Sequence, residues 1–446
     1  MMTTKKTAIK SILSLSLPAI IDMSFDTLLG IADTLMISWM IGNAALSASG
    51  FVNQIIFTLI FVFTAFNTGG TALIARSYGE ANYTKLNKTA SELVFLNLAL
   101  GLLVTLLCYV FKDQIFSIFQ TSEAVNVYIA KYFKWVGLSI LPMFLSFSFA
   151  AILRGSGNTS TPMKITLIAN LFNIAGNFVL IKGLFFFSPL GIEGAAIATL
   201  SARWLSVTLY TIILFDFKKK VHLRLCDMLP TKALFEPLLK ISLPSAAEQA
   251  LIQASFLAVN VIISTLDTTS EAAYRILINL ESISYMPAVG ISIAAATLTG
   301  KALGEKNPDL AYTTGRQSTF LGLAWGVFMG TMFLTFLNFW PRLFTSDPGV
   351  IETIIPVLIL SALLQPFLNA LLVMSGVLRG SGNTRTVMQL SFFRVWLINV
   401  PIAFMLVRVL GFDLKGAWYA ELISYTLFCA VMYLKIKQKK WTEIKI

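Results

Sequence analysis

The sequence has few charged residues, few cysteines and one histidine, and each shortage excludes a class of protein. Only 13% of its 446 residues are charged, whereas soluble domains have about 25%. Cys108, Cys226 and Cys429 lack the paired spacing of a zinc site or a disulfide framework. The single His222 gives no basis for a histidine proton relay or a Ser-His dyad. A soluble enzyme is therefore disfavoured.

Apolar residues are abundant instead, at 56% of the chain with a mean hydropathy of +0.77. A span of the membrane needs about 20 apolar residues, and the runs between charged or Gly/Pro-marked breaks predict twelve of them. These predicted spans are residues 11–41, 46–75, 90–111, 128–152, 161–182, 190–215, 237–264, 271–299, 316–339, 350–377, 386–408 and 414–434. We therefore expect an all-α integral membrane protein.

The basic residues lie mostly on one side of these spans. With a cytoplasmic amino terminus, 24 of the 34 Lys and Arg residues fall in inside segments, which is the bias expected of cytoplasmic loops. Both termini are thus predicted to be cytoplasmic, in the inner membrane. The net charge of +12 is then a topology signal, and it does not indicate a nucleic-acid partner.

A seven-residue segment occurs twice, 225 residues apart. Leu153–Thr159 reads Leu-Arg-Gly-Ser-Gly-Asn-Thr and returns unchanged as Leu378–Thr384, and Leu17-Pro18 similarly recurs as Leu243-Pro244. The pairs indicate a duplication, with an amino-terminal lobe at 1–215, a basic linker at 216–236 and a carboxy-terminal lobe at 237–446. In each loop we expect a hinge, with Gly and Asn ending a helix and Arg donating to helix carbonyls.

Each copy holds six spans, so both enter the membrane from the same side and form two pseudo-symmetric six-helix bundles related by an axis along the membrane normal. Bundles of this kind can rock around a substrate, as in secondary transporters. No phosphate loop for ATP occurs in the chain, so an ion gradient is the expected energy source. A major-facilitator protein is the less favoured alternative, because residues 76–88 lack that group's Gly-Asp-Arg-rich loop.

The first span carries three acids, which are costly at membrane depth and point to function. Asp22, Asp26 and Asp33 lie within about 40° of one another on a helical wheel, on the stripe that also holds Pro18. Proline removes a backbone hydrogen bond and bends helices, so Pro18 is the predicted hinge. The three acids are candidates for binding a cation or a cationic substrate.

Amide, hydroxyl and basic groups in spans five and six complement these acids. Asn170, Asn173 and Asn177 form a narrow stripe of oxygens suited to sodium. Asn170 is more readily explained as a tie between helices, whereas the other two are placed to face Asp33. Thr199 and Arg203 share one face of span six, and Arg203 is expected to pair with an acid of span one.

The second half carries acids of its own. Glu248 follows Pro244 at the offset at which Asp22 follows Pro18, and it is a further candidate for cation or substrate binding. Two buried ion pairs are expected, Glu281 with Arg275 and Glu421 with Arg394. Two more acids lie near span ends and are expected to be solvated; they are Glu92 and Glu193.

Several motifs together resemble the multidrug and toxic compound extrusion (MATE) family over essentially the whole chain. They are Ala32-Asp-Thr34, the repeated Leu-Arg-Gly-Ser-Gly-Asn-Thr, Asn173-Ile-Ala-Gly-Asn177, Gly191-Ile-Glu-Gly-Ala-Ala-Ile-Ala-Thr199 and Leu243-Pro244. The resemblance implies two six-helix lobes and a coupling-cation site at Asp33, Asn173, Asn177 and Thr199, with sodium a candidate at the first three. Some members have an aspartate where this chain has Asn177, so the choice of proton or sodium stays open.

The resemblance further implies a secondary antiporter that exports amphiphilic, cationic organic compounds in exchange for H+ or Na+ by alternating access. We expect no enzyme activity, no cofactor beyond the coupling ion, and a monomer in membrane lipid. The alternative within the wider superfamily is a flippase of lipid-linked saccharide, which would need a strongly cationic cleft for pyrophosphate. The cleft candidates here are mainly acidic.

Overall fold

The chain is helical almost throughout. The computed structural model describes residues 2–117, 121–184 and 188–444, with side chains described for all of these except 2–7 and 60–64. The helices of the first half are α1 Met2–Met40, α2 Asn43–Thr64, α3 Phe66–Gly79, α4 Tyr83–Val110, α5 Lys112–Ser117, α6 Glu123–Val136, α7 Ile140–Gly155, α8 Ser160–Lys182 and α9 Ile192–Leu214. Those of the second half are α10 Lys232–Ile263, α11 Thr268–Gly304, α12 Pro308–Thr335, α13 Phe339–Arg342, α14 Pro348–Gly380, α15 Thr384–Phe392, α16 Val400–Phe404 and α17 Asp413–Lys437.

Short helical turns of other types connect or extend these helices. Turns of 3-10 helix lie at Gly137–Ser139, Leu225–Asp227 and Lys440–Glu443. Wider π-helical segments at Phe393–Asn399 and Met405–Val409 flank α16. They join α15 and α16 into one long segment, which corresponds to the eleventh predicted span.

Among the described residues, eleven helical segments are long and apolar enough to cross a membrane. They correspond to eleven of the twelve predicted spans, with ends that differ by several residues. The remaining predicted span, 46–75, lies on α2 and α3. The apolar runs therefore predicted these helices but not their exact first and last residues. Helices continue past the membrane until a cap or a glycine stops them.

Packing divides the chain into two compact units. The first unit is Ile21–Leu239, and the second joins Met1–Ile20 to Lys240–Ile446. Helix α1 is continuous, so its amino-terminal half packs with the second unit and its carboxy-terminal half with the first. These units are defined by packing and not by the repeat, and the predicted lobes 1–215 and 237–446 stay a prediction.

The duplication is visible in local backbone geometry. Asn82 Oδ1 accepts a hydrogen bond from the backbone N–H three residues on and so caps α4, and Asn307 caps α12 in the same way. Within the repeated loops, Gly157 and Gly382 have φ of +86° and +85°, a region that only glycine enters without strain. Each loop therefore makes the same turn, as the identical sequences predicted.

Small residues bring α14 close to α11 in the second unit. Gly376 and Gly380 are four apart on one face of α14, and a Cβ on either would overlap the backbone of α11 at Ser292 or Ala296. Such spacing of small residues allows membrane helices to pack backbone to backbone. The close approach places the polar residues that α11 and α14 share in the interior of the unit.

Candidate functional site

Four of the predicted site residues form one hydrogen-bonded group in the first unit, which we call the Asp33 cluster. Asn177 Nδ2 donates to Asp33 Oδ1 at 2.6 Å and to Asn173 Oδ1 at 3.1 Å. Asn173 Nδ2 donates to Thr199 Oγ1 at 3.2 Å. The cluster thus joins α1, α8 and α9, and it contains the set that the family resemblance implied.

The amide of Asn173 can be placed in two orientations. In the alternative orientation its nitrogen donates to Asp33 Oδ1 at 2.8 Å and its oxygen accepts from Thr199 Oγ1 at 3.2 Å. The choice is one of hydrogen-bond assignment, because oxygen and nitrogen are alike in size. In both orientations the Asp33 carboxylate is held by amide N–H groups, and amide and hydroxyl oxygens lie beside it.

Asn177 Oδ1 is buried and accepts no hydrogen bond from the residues that the structure describes. A buried oxygen without a donor carries a desolvation cost, and a cation beside Asp33 would supply a partner. Carboxylate, amide and hydroxyl oxygens of this kind coordinate sodium, whereas a proton needs only the carboxylate. The set of oxygen ligands therefore fits a sodium ion or a proton.

Glycine in the two quoted motifs explains why α8 and α9 meet at this point. Gly176 lies beside Asn177, and a Cβ there would contact Ala198 Cβ at 3.1 Å. A Cβ on Gly194 would lie 2.7 Å from the carbonyl oxygen of Leu180. Because the backbones approach this closely, Thr199 of α9 reaches the asparagines of α8.

The other two acids of the first span do not join the Asp33 cluster. Arg154 Nη2 donates to Asp22 Oδ2 at 2.5 Å, and the Asp22 side chain is only 2% exposed. Asp26 is exposed and lies within electrostatic reach of Arg203. The predicted ion pair of Arg203 with a span-one acid is wrong, since among the described residues no such contact lies within 4.0 Å.

The same arrangement occurs in the second unit. Arg379 Nη2 donates to Glu248 Oε1 at 2.7 Å, and Ser391 Oγ donates to the same oxygen at 2.9 Å. The Glu248 side chain is 2% exposed. Each carboxylate is thus paired with the arginine of a repeated segment, and the cation or substrate role of Asp22 and Glu248 stays a prediction.

Sequence reasoning missed both partners. It assigned the two arginines to loops, as positive-inside charges that donate to helix carbonyls. Helices α7 and α14 instead continue to Gly155 and Gly380, so each arginine lies in a last helical turn and its side chain reaches the acid of a neighbouring helix. The available signal was the repeat itself, because acid and arginine recur at matching offsets in both halves.

Pro18 lies inside the continuous helix α1. It is two residues before Ile20, the last residue of α1 that packs with the second unit. The missing backbone N–H of proline weakens the helix at that point. The hinge role of Pro18 stays a prediction.

Asn170 lies about one turn from Asn173 on α8 and contacts the backbone of α1. Its Nδ2 donates to the backbone oxygen of Phe25 at 2.9 Å. This contact links α8 to α1, as expected of a residue that ties helices together.

A second polar group lies between α11, α14 and α17. Glu281 Oε1 accepts from Ser361 Oγ at 2.5 Å and from Trp418 Nε1 at 2.8 Å. The predicted pair of Glu281 with Arg275 is wrong, because Arg275 Nη2 instead donates to Glu271 Oε1 at 2.9 Å, one turn away on α11.

Arg394 contacts a different residue from Glu421, the partner predicted for it. It lies over the Tyr425 ring at 4.2 Å, and among the described residues it makes no ion pair with Glu421 within 4.0 Å. The guanidinium therefore interacts with the ring face by a cation–π contact.

Two acids expected to be solvated make specific contacts. Glu92 is fully buried, and its Oε1 accepts from Thr231 N at 3.0 Å and Oγ1 at 2.6 Å. Glu193 Oε2 accepts from Trp135 Nε1 at 3.2 Å. The expectation failed because proximity to a span end does not show whether a neighbouring segment covers the residue; here the linker covers Glu92.

Comparison with known proteins shows the family to which the chain belongs. The MatE family model matches residues 18–179 and 244–405, one match for each half. The chain is 32% identical over 439 residues to the probable multidrug resistance protein NorM of Thermotoga maritima, covering 97% of this chain and 93% of that one. It is 26% identical to the uncharacterized transporter YisQ of Bacillus subtilis, covering 98% of each.

Solved structures agree on the fold. A crystal structure of MATE in the bent conformation matches with a TM-score of 0.89 at 22% identity, over 98% of this chain and 97% of that one. A transporter of the MOP superfamily from Pyrococcus furiosus matches with the same score, identity and coverage. The predicted fold class, an all-α membrane protein built from two copies of a six-helix bundle, is confirmed. The chain belongs to the MatE (MATE) family and is a multi-pass membrane transporter, not an enzyme.

Proposed function

We propose that this protein is a secondary active antiporter that exports amphiphilic, cationic organic compounds in exchange for H+ or Na+ by alternating access. The proposal rests on the family membership and on the Asp33 cluster. The relative from Thermotoga maritima is named as a probable multidrug resistance protein, which supports small-molecule export as the class of activity. The chain would act as a monomer in the inner membrane, with both termini in the cytoplasm.

The observation that carries the proposal is a carboxylate within a span that accepts hydrogen bonds only from neutral groups among the described residues. Asp33 accepts from Asn177 and has no arginine or lysine within 4.0 Å among the described residues. An ionised group at membrane depth costs about 2.5 to 3.5 kcal/mol on insertion scales. Binding a cation removes much of that cost, so Asp33 is placed to bind and release one positive charge.

Competition between the inorganic cation and the organic cation at this carboxylate couples the transport of one to that of the other. The cation neutralises Asp33, the hydrogen bond from Asn177 rearranges, and α1 bends or rotates near Pro18 as the organic cation leaves. Cation and drug must favour different conformers, since a ligand that binds two conformers equally shifts neither. Asn177 contributes oxygen without charge, so one cation per Asp33 cluster is the expected stoichiometry.

Gradient-driven efflux from proteoliposomes tests this function. A sodium gradient and a proton gradient are imposed separately while a fluorescent organic cation is followed across the membrane. We expect at least one gradient to drive efflux and protein-free liposomes to show none. Efflux that responds to neither gradient would rule out an antiporter, and movement of a lipid-linked saccharide without either gradient would favour the flippase.

A further inference from the structure

The first unit contains a cavity of about 360 Å³ that is lined by none of the residues of the Asp33 cluster. It lies between the end of α3, the repeated loop before α8 and the linker after α9, on the side predicted to be cytoplasmic. We call it the linker cavity. The polar side chains that line it are Tyr78, Ser156, Asn158, Thr161, Lys219 and Lys220.

One wall of the linker cavity is formed by the turn of the repeated loop and the start of α8. Asn158 Oδ1 accepts from the backbone N–H of Thr161 at 3.0 Å, and Asn158 Nδ2 donates to Thr161 Oγ1 at 2.9 Å. Since Thr161 Oγ1 already accepts, its hydroxyl proton is left to donate to a ligand. This wall is also the amino terminus of α8, a 23-residue helix whose dipole favours negative charge there.

The opposite wall presents two lysines from a segment that is anchored to the unit. Asn87 Nδ2 donates to the backbone oxygen of Lys220 at 3.2 Å. Asn87 Oδ1 accepts from the backbone N–H of His222 at 3.1 Å. Leu223 is fully buried, and its backbone N–H donates to Leu214 O at 2.7 Å. These contacts hold the turn that carries Lys219 and Lys220 against α4 and α9.

The acids near these lysines offset only part of their charge. Lys219 Nζ lies 3.6 Å from Asp216 Oδ2. Lys220 Nζ lies 5.4 Å from the centre of the Tyr83 ring, and within the described part of the chain no carboxylate pairs with it. The cavity therefore keeps a net positive charge.

In the second copy of the fold, the corresponding lysine is paired with an acid. The tail of this copy after α17 also folds back, with Trp441 buried. Lys439 Nζ lies over the Tyr312 ring, 4.6 Å from its centre, much as Lys220 lies over Tyr83. Lys439 Nζ, however, also pairs with Asp309 Oδ1 at 3.1 Å. The position 225 residues before Asp309 is Thr84, so the first copy lacks the neutralising acid.

We propose that the linker cavity binds the phosphate group of a phosphate ester, supplied by the headgroup of an anionic phospholipid or by a soluble phosphate. Two lysines, the Thr161 hydroxyl and the start of α8 would surround the phosphate oxygens. Basic pockets between spanning helices on the cytoplasmic side bind anionic headgroups in this way. The site is independent of the Asp33 cluster and of the coupling ion.

Binding of a short-chain phosphatidylglycerol to the purified chain in neutral detergent tests the proposal. The double variant Lys219→Ala/Lys220→Ala is expected to bind about tenfold more weakly, since each lysine contributes about fivefold and Asp216 already offsets part of that. The matched control Lys435→Ala/Lys437→Ala removes two exposed lysines from the end of α17 and should leave the affinity unchanged. Thermal midpoints show that each variant is folded.

A charge-preserving variant and two competitors complete the test. Thr161→Phe fills the cavity and keeps both lysines, and it should weaken phosphatidylglycerol binding at least as much as the double variant does. Failure of glycerol 1-phosphate and inorganic phosphate to compete identifies the lipid as the source, and competition by either identifies a soluble phosphate. Equal affinity in the parent, the double variant and Thr161→Phe, or an equal loss in the lysine control, would overturn the proposal.

Discussion

Asp33→Asn is expected to slow gradient-driven efflux strongly while leaving the protein folded. Asparagine keeps the size of the side chain and still accepts the hydrogen bond from Asn177, but it carries no charge to exchange for a cation. Coupling free energies of 1–3 kcal/mol correspond to factors of about 5–150, and loss of the coupling should lower the driven rate by a factor in that range. The measurement is initial efflux of an organic cation from proteoliposomes under an imposed ion gradient.

The control for this variant is Asp113→Asn. Asp113 is exposed in the short helix α5, so its change removes one negative charge without touching the Asp33 cluster. It should transport at the parental rate. Wild-type efflux by an inserted and folded Asp33→Asn variant would contradict the proposed mechanism.

Arg379→Met is expected to destabilise the second unit strongly, because it breaks the buried ion pair with Glu248. The substitution keeps the apolar stem of the side chain and leaves the Glu248 carboxylate buried, with Ser391 as its one remaining donor in the described part of the chain. Breaking a buried pair by removing one partner costs about 3–5 kcal/mol. Because the Arg379 side chain is 20% exposed, we expect the lower end, about 3 kcal/mol. The readout is the free energy of unfolding in mixed micelles.

A double-mutant cycle separates the ion pair from simple loss of packing. Glu248→Gln in the Arg379→Met background removes the unpaired charge and should restore more than half of the lost stability. Arg385→Met, a change to an exposed arginine just after the same loop, is the matched control and should cost less than about 0.5 kcal/mol. If the double variant is as unstable as Arg379→Met, the stability does not come from the pairing of the two charges.

The sequence was sufficient for the parts of the fold that depend on local pattern. Apolar runs predicted the spans because lipid requires them to be helical and apolar. The repeated loop predicted its own geometry, and Gly157 and Gly382 make the same turn because identical sequences have the same backbone preferences. The ends of the helices were less accurate, since α7 and α14 continue into the residues that were assigned to loops.

Partners across helices were harder to predict. A helical wheel places Asp22 and Asp33 on one stripe, but 11 residues correspond to about 16 Å along the axis. Over that distance the neighbouring helix changes, so Asp22 meets Arg154 and Asp33 meets Asn177. The partners lie 132 and 144 residues away, and their pairing depends on helix tilt and rotation that periodicity does not specify.

The Asp33 cluster was recognised because family resemblance supplied what periodicity could not. Spacing placed Asn173 and Asn177 on one face of α8, where they could face Asp33, and the resemblance joined these three residues with Thr199 into one cation site. The structure brings the four residues into hydrogen-bonded contact. Their role in binding the coupling ion remains our proposal.

Competition between the coupling ion and an organic cation is the most direct test of the central claim. Equilibrium binding of tetraphenylphosphonium to the purified protein is measured over a range of sodium concentrations, with potassium keeping ionic strength constant, and then over a range of pH. For the parent, raising the coupling ion should weaken tetraphenylphosphonium binding, and Asp33→Asn should remove that dependence. An unchanged dependence in Asp33→Asn, or a parent whose affinity responds to neither ion, would contradict the account.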